Sequence, residues 1–320
     1  WPRSTNWPIP WPRRAKRPET RWRPEFMKNL NDHQRGLLMT IFGVLVLTPD
    51  ALLVRLIETD HWSLVYWRSL FMAFSLFALN GFIEKKNPLV AIRGLFRNGL
   101  FCALLFAGSN ICFVFSITHT IAANTLVILA CMPFIAAVLT VVLMRRNLEL
   151  RTWMTIVLAM LGIVMVFWGR FGDGNILGDG VAVLAALFMA TTLVSISRNP
   201  KINSLAAIGL GSLLAALFSL FMGASPGLPL PGDFFYLAIN GGIVLPISMG
   251  LITYGPKLIS APEVSLILLL ETALGPLWVW LVLSEQPPQQ TFFGGGLVIA
   301  AILVNAWLGF RSRPPTRAVS

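Results

Sequence analysis

The stretch that most constrains this chain is one that returns. From Thr120 it reads TIAANTLVILACMPFIAAVLTVVLMRRNLELRTWMTIVLAMLGIVMVFWG, and from Ile259 it reads ISAPEVSLILLLETALGPLWVWLVLSEQPPQQTFFGGGLVIAAILVNAWL. Aligned without gaps, Ala122 falls on Ala261, Leu129 on Leu268, Thr152 on Thr291 and Trp168 on Trp307. Each copy is two apolar segments split by a short polar turn. An internal repeat fixes architecture before any single residue is interpreted, and this one makes the protein two related halves.

The solvent of those halves follows from composition. Of 320 residues, 56% are hydrophobic and only 12% charged, about half the usual charged share of ~25%. Apolar runs long enough to cross a ~30 Å hydrocarbon layer as helices recur almost end to end. The expected fold is an all-α polytopic membrane protein of about ten spans: 36–57, 62–83, 94–117, 121–144, 150–169, 179–197, 203–223, 233–255, 261–283 and 291–310. Residues 1–35 form a basic, disordered tail, 36–169 and 170–310 the two repeats of five spans, and 311–320 a second tail. The first methionine is Met27, so residues 1–26 also read as sequence upstream of a start.

The net charge of +11 does not point to nucleic acid, because the basic residues lie in the tails and on alternate connections. Of the 25 Lys and Arg, only Arg55, Arg68 and Arg170 fall elsewhere. By the positive-inside rule both termini are cytoplasmic. Five spans per half is odd, so the halves must be inverted relative to each other, the plan by which many secondary transporters surround one central site.

The segments LGDGVAVLAALFMATTLVSISR, TIAANTLVILACMPFIAAVL and LLLETALGPLWVWLVLSEQP resemble the repeated motifs of the drug/metabolite transporter superfamily, in its EamA-type branch of ten-helix permeases. The resemblance covers nearly everything from Gly36 to Phe310 and implies a permease for amino acids, other metabolites or drugs. That branch commonly carries a Glu-Pro pair in the fourth helix of each half and a Gly-Glu pair at its end. Here the first half has Met132-Pro133 and Arg145-Arg146, and the second Glu271-Thr272 and Ser284-Glu285, so a mechanism with an acid in both halves is not supported.

Four prolines, Pro49, Pro133, Pro246 and Pro276, interrupt spans and are candidate hinges. Each frees the carbonyl four residues back, on Leu45, Leu129, Gly242 and Thr272, which is tolerated only inside protein or beside a wet cavity. Ionisable residues in the spans are functional candidates because each costs about 2.5–3.5 kcal/mol at mid-membrane. They are Asp50, Arg68 and Glu271, with Arg55 near enough to an end to snorkel. Asp50 and Arg68 lie at similar depth and read equally as an ion pair or a substrate contact. Glu271 lies roughly 15 Å into its span, near the midplane, as the candidate substrate or coupling acid. Ser109, Asn110 and Ser248 could line a cavity or bond neighbouring helices. Trp278 lies two turns from Glu271 on the same face. Gly296, Ala300 and Val304 make a small-residue stripe for packing on the fifth span or for a dimer seam. Asp179 reads as the N-cap of the sixth span.

Intramembrane protease motifs, a metal-ligating His-Glu-x-x-His and a nucleotide-binding GxxxxGK[ST] are all missing from the sequence, so no cofactor and no metal is expected. The reading is a non-enzymatic secondary transporter of the inner membrane. It exports a small organic, amino-acid-like or drug-like molecule, with protons as candidate coupling ion, as a monomer or homodimer in the bilayer. The alternatives are an intramembrane enzyme and a non-transporting scaffold.

Overall fold

The structure is a computed structural model that describes residues 31–84, 94–95, 99–120, 122–145, 147–166, 175–225, 227, 229–284 and 289–311. Residues 1–30, most of the basic second connection, Arg170 with its Gly-Asp loop, and Glu285 lie outside the described residues, as do the side chains of Arg55 and Pro276, while the end of the stretch expected as a disordered tail is helical from Asp32. Among the described residues eight helices are long and apolar enough to cross a membrane, and Leu100–Ser116 and Leu150–Val166 are shorter apolar helices. Together they supply the ten spans. Large apolar side chains such as Phe42, Phe74, Phe101 and Leu281 face outward, a costly arrangement in water and the required one in hydrocarbon.

The first span is two helices, Asp32–Leu47 and Asp50–Arg55, broken at Pro49. The second is His61–Glu84, the third Leu100–His119, and the fourth Ala122–Leu129 plus Met132–Met144, broken ahead of Pro133. The fifth is Leu150–Val166, the sixth Ile176–Arg198 and the seventh Ser204–Phe221. The eighth joins Pro231–Ile239 to Leu245–Tyr254 through a π-helical turn, Asn240–Val244. The ninth is Ala261–Leu283, continuous through Pro276, and the tenth is Gln289–Arg311.

Packing between spans obeys the repeat. The second span packs on the seventh, the fourth on the ninth and the fifth on the tenth, each against its own counterpart. Several further contacts come as exchanged pairs: first with eighth and sixth with third, first with ninth and sixth with fourth, second with eighth and seventh with third. A two-fold relation that swaps the halves predicts this list. The helices of the fourth and ninth spans even stop alike, at Arg145 (φ 50°) and Ser284 (φ 57°), both left-handed. These are the positions where glycine ends a helix without steric cost.

The ninth span is the axis of the core. Residues 261–270 are all buried and, apart from Glu263 and Ser265, apolar on every side rather than amphipathic, as a helical segment enclosed by others must be. Around it pack Leu37, Val44, Ile156, Leu193, Ile208 and Ile252, each at most 2% exposed.

Two expectations are corrected. The tenth span does pack on the fifth, but through Gly294 and Val298 against Gly162, where an added Cβ on either glycine would strike backbone of the other helix. Gly296, Ala300 and Val304 point outward instead, because the seam needs the face one turn-step away. Asp179 is not the N-cap of the sixth span. Asn175 is, its side chain accepting the Leu177 N–H at 3.0 Å, so the helix starts a turn earlier and Asp179 is free to bond elsewhere.

Candidate functional site

Each broken span exposes polar backbone, and the breaks of the first and eighth spans meet. Pro49 deprives the Leu45 carbonyl of its helical donor, and the Thr48 hydroxyl replaces it at 2.8 Å. Thr48 Oγ1 in turn accepts the indole N–H of Trp278 at 2.9 Å, which ties the break in the first span to the ninth. Directly after the break Asp50 opens the second helix of that span.

Asp50 is 8% exposed and both of its oxygens are used. Arg68 Nη2 of the second span donates to Oδ2 at 3.3 Å. Asn240 Nδ2 of the eighth span donates to Oδ1 at 2.8 Å. Asn240 begins the π-helical turn that precedes Pro246. Pro246 has no N–H, so a regular helix would lose a bond here, and the π turn moves the register so that Leu245 N–H reaches Asn240 O. Such single π turns recur at functional sites. The turn also lies very close to the second span. A Cβ on Gly241 would stand 2.6 Å from the Arg68 carbonyl and 2.9 Å from Phe71 Cβ, so only glycine lets Asn240 and Arg68 converge on one carboxylate.

Glu271 is partly buried, immediately after the ten-residue buried run, and it interacts electrostatically with both Asp50 and Arg68. The break in the first span packs on the ninth, which brings these groups together. Two carboxyls and one guanidinium, supplied by three spans, thus lie near one another where the halves cross, with Asp50 and Arg68 in direct contact. Asn240, which holds Asp50, keeps its Oδ1 buried without a hydrogen-bond partner among the described residues, and so does Trp67 its Nε1 on the residue before Arg68.

The remaining candidates divide. Asn110 Nδ2 donates to Ser69 Oγ at 3.3 Å, which brings it to the residue after Arg68. Ser109 donates to the Ala185 carbonyl of the sixth span at 2.9 Å. The fully buried Ser248 returns to its own helix at Leu245 O, 3.0 Å away. Both serine hydroxyls are therefore occupied by backbone. Sequence reasoning missed Asn240, although an amide in an apolar span directly before the Gly241-Gly242 pair and ahead of Pro246 is the available signal.

Ten spans in two inverted halves around a buried charged cluster are the architecture of a polytopic inverted-repeat membrane protein. The EamA-like transporter family matches this chain twice, over residues 34–168 and again over 176–307. The chain belongs to that family, within the drug/metabolite transporter superfamily. One solved crystal structure of a protein shares the fold, with a TM-score of 0.75 and 13% identity over 86% of this chain and 99% of its own. No curated protein matches this chain.

Proposed function

We propose that this protein is a secondary transporter that moves a small organic metabolite out of the cytoplasm across the inner membrane by alternating access. Both termini are cytoplasmic in this reading, as the distribution of Lys and Arg requires, and 36–169 and 170–310 are the two functional repeats. The observation that carries it is the Asp50–Arg68–Glu271 cluster, with Asn240 completing it, at the crossing of two family-matched halves. A buried charge in a membrane is retained for a use, because hydrocarbon penalises it.

The cluster has one carboxyl more than it has cations. Asp50 is neutralised by Arg68, so Glu271 supports two roles, exchange of a proton or contact with a cationic or ammonium-bearing group. The unpartnered Asn240 Oδ1 provides a buried acceptor on the residue that holds Asp50, so the substrate class is a small polar molecule with at least one hydrogen-bonding end. Breaks at Pro49, Pro133 and the π turn before Pro246 supply hinges around it. Uptake and counterflow in proteoliposomes with a pooled metabolite library, with and without a proton gradient, test this reading. It predicts saturable movement of one chemical class, and movement of none contradicts it.

A further inference from the structure

Two polar contacts outside the central cluster join corresponding helix ends at opposite membrane faces, through residues that do not themselves align: Glu263 falls on Asn124 and Thr120 on Ile259. On the face where the chain enters, His33 Nε2 lies 3.1 Å from Glu263 Oε1. His33 is 7% and Glu263 9% exposed, and the contact joins the start of the first span to the start of the ninth. Glu263 Oε2 also accepts from Ser260 N at 2.9 Å and Oγ at 2.8 Å. On the other face the Thr120 hydroxyl donates to Asp179 Oδ1 at 2.7 Å, joining the start of the fourth span to that of the sixth. The repeat exchanges first with sixth and ninth with fourth, so these are the same junction seen twice.

The glycines agree. A Cβ on Gly36 would stand 2.7 Å from both Leu258 Cβ and Ile259 Cγ2, and one on Gly178 would stand 2.8 Å from Thr120 Cβ and 3.1 Å from the His119 carbonyl carbon. His119 and Thr120 are the residues that align with Leu258 and Ile259 in the gapless repeat. At each face, then, a glycine brings one helix onto the segment that starts the partner helix, and a polar pair fastens it. Neither pair touches the central cluster.

We propose that His33–Glu263 and Thr120–Asp179 are the two latches of the transport cycle, each closing one end of the path, and that the structure has both closed. The proposal rests on the alternating-access reading. Opening one face breaks one latch and keeps the other, so weakening a latch enriches the state open on its side and depletes the state open on the opposite side. A capping contact with no gating role would loosen only its own end. The two differ in chemistry as well: a His–carboxylate pair at one face and a hydroxyl–carboxylate bond at the other.

Hydrogen exchange of the full chain in lipid nanodiscs tests this without a substrate. His33→Ala should raise exchange at 31–40 and 257–264 about tenfold, the shift expected for losing one charge-assisted bond. It should slow exchange at Ile176–Val181 and around Thr120. Thr120→Val should give the mirror image. If His33→Ala loosens the whole protein, Glu263→Gln, whose amide still closes the helix cap, must show the same opposite-signed pattern. Exchange that rises only at the altered end in these variants overturns the proposal. The two readings fail separately: absence of transport contradicts the transporter, and ends that respond independently contradict the latches.

Discussion

Asn240 reaches across the boundary between the two halves to Asp50, 2.8 Å away, and takes the carboxylate oxygen that Arg68 leaves unused. Asp50 is therefore held once by its own half and once by the other. Breaking a buried ion pair by removing one partner costs about 3–5 kcal/mol, because the charge left behind has no solvent. Asp50→Asn and Arg68→Gln should each reduce folded yield, and the double variant should be impaired less than their sum, with a coupling of about 0.5–3 kcal/mol. A thermal-stability cycle in detergent measures it, and strict additivity would show that the pair does not interact.

Gly241 tests whether the π turn positions this site. Gly241→Ala must push the turn away from the Arg68 carbonyl, which is backbone and cannot yield, at a cost of about 1–3 kcal/mol. The nearest atom to a Cβ on Gly242 is Ser75 Oγ at 3.9 Å, so Gly242→Ala should be tolerated. Melting temperatures of the two variants should separate clearly, and equal values would show that the close approach is not required.

Much of this was legible beforehand, for a physical reason. Hydrocarbon demands long apolar helices and leaves charges nowhere to hide, so spans, repeat and the isolated Asp50, Arg68 and Glu271 stand out in the sequence. What was not legible depends on rotation about helix axes. The outward turn of Gly296, the seam through Gly162 and Gly294, and the Asp179–Thr120 bond all turn on which face of a helix meets its neighbour, and a uniformly apolar span carries little amphipathic signal to say so. Asn240 was hidden for another reason: its placement depends on a π turn, which shifts the helical register that sequence spacing assumes.

Topology follows from the charge tally. Cytoplasm-sensitive reporters fused after Lys86, Arg146, Arg198 and Arg317 should all be active, and fusions near His61, Asn175 and Ser225 should not. An outside signal at Arg198 would break the inverted arrangement, since it would place the start of the seventh span on the wrong face.

Asp60, between the first and second spans, carries a pH signature. Slight burial pushes its carboxyl up, but the Ser63 hydroxyl and the amides of Ser63 and Trp62 outweigh that and hold it below the usual carboxylate value. Ser63 N donates to it at 2.9 Å. A lowered folded value means that its stabilisation is present above the unfolded value of about 3.9 and is lost as pH falls through the folded one. Asp60→Ala should cost about 0.5–2 kcal/mol at neutral pH, as loss of a helix cap does. The gap to the wild type in thermal melts should close as pH is lowered beneath the ordinary carboxylate range, and a gap independent of pH would assign the effect to something other than the carboxylate.

The central claim is that Glu271, beside the Asp50–Arg68 pair, is the acid through which substrate movement is tied to a proton or to a cationic group. Glu271→Gln keeps the shape and most hydrogen bonds but cannot titrate. The decisive measurement is transport by Glu271→Gln in proteoliposomes, with and without an imposed proton gradient, against a wild type of equal folded yield. The account predicts that the variant folds, that gradient-driven transport falls at least about tenfold, and that whatever exchange remains no longer responds to the gradient. A variant that folds and transports with unchanged rate and unchanged gradient dependence would contradict it.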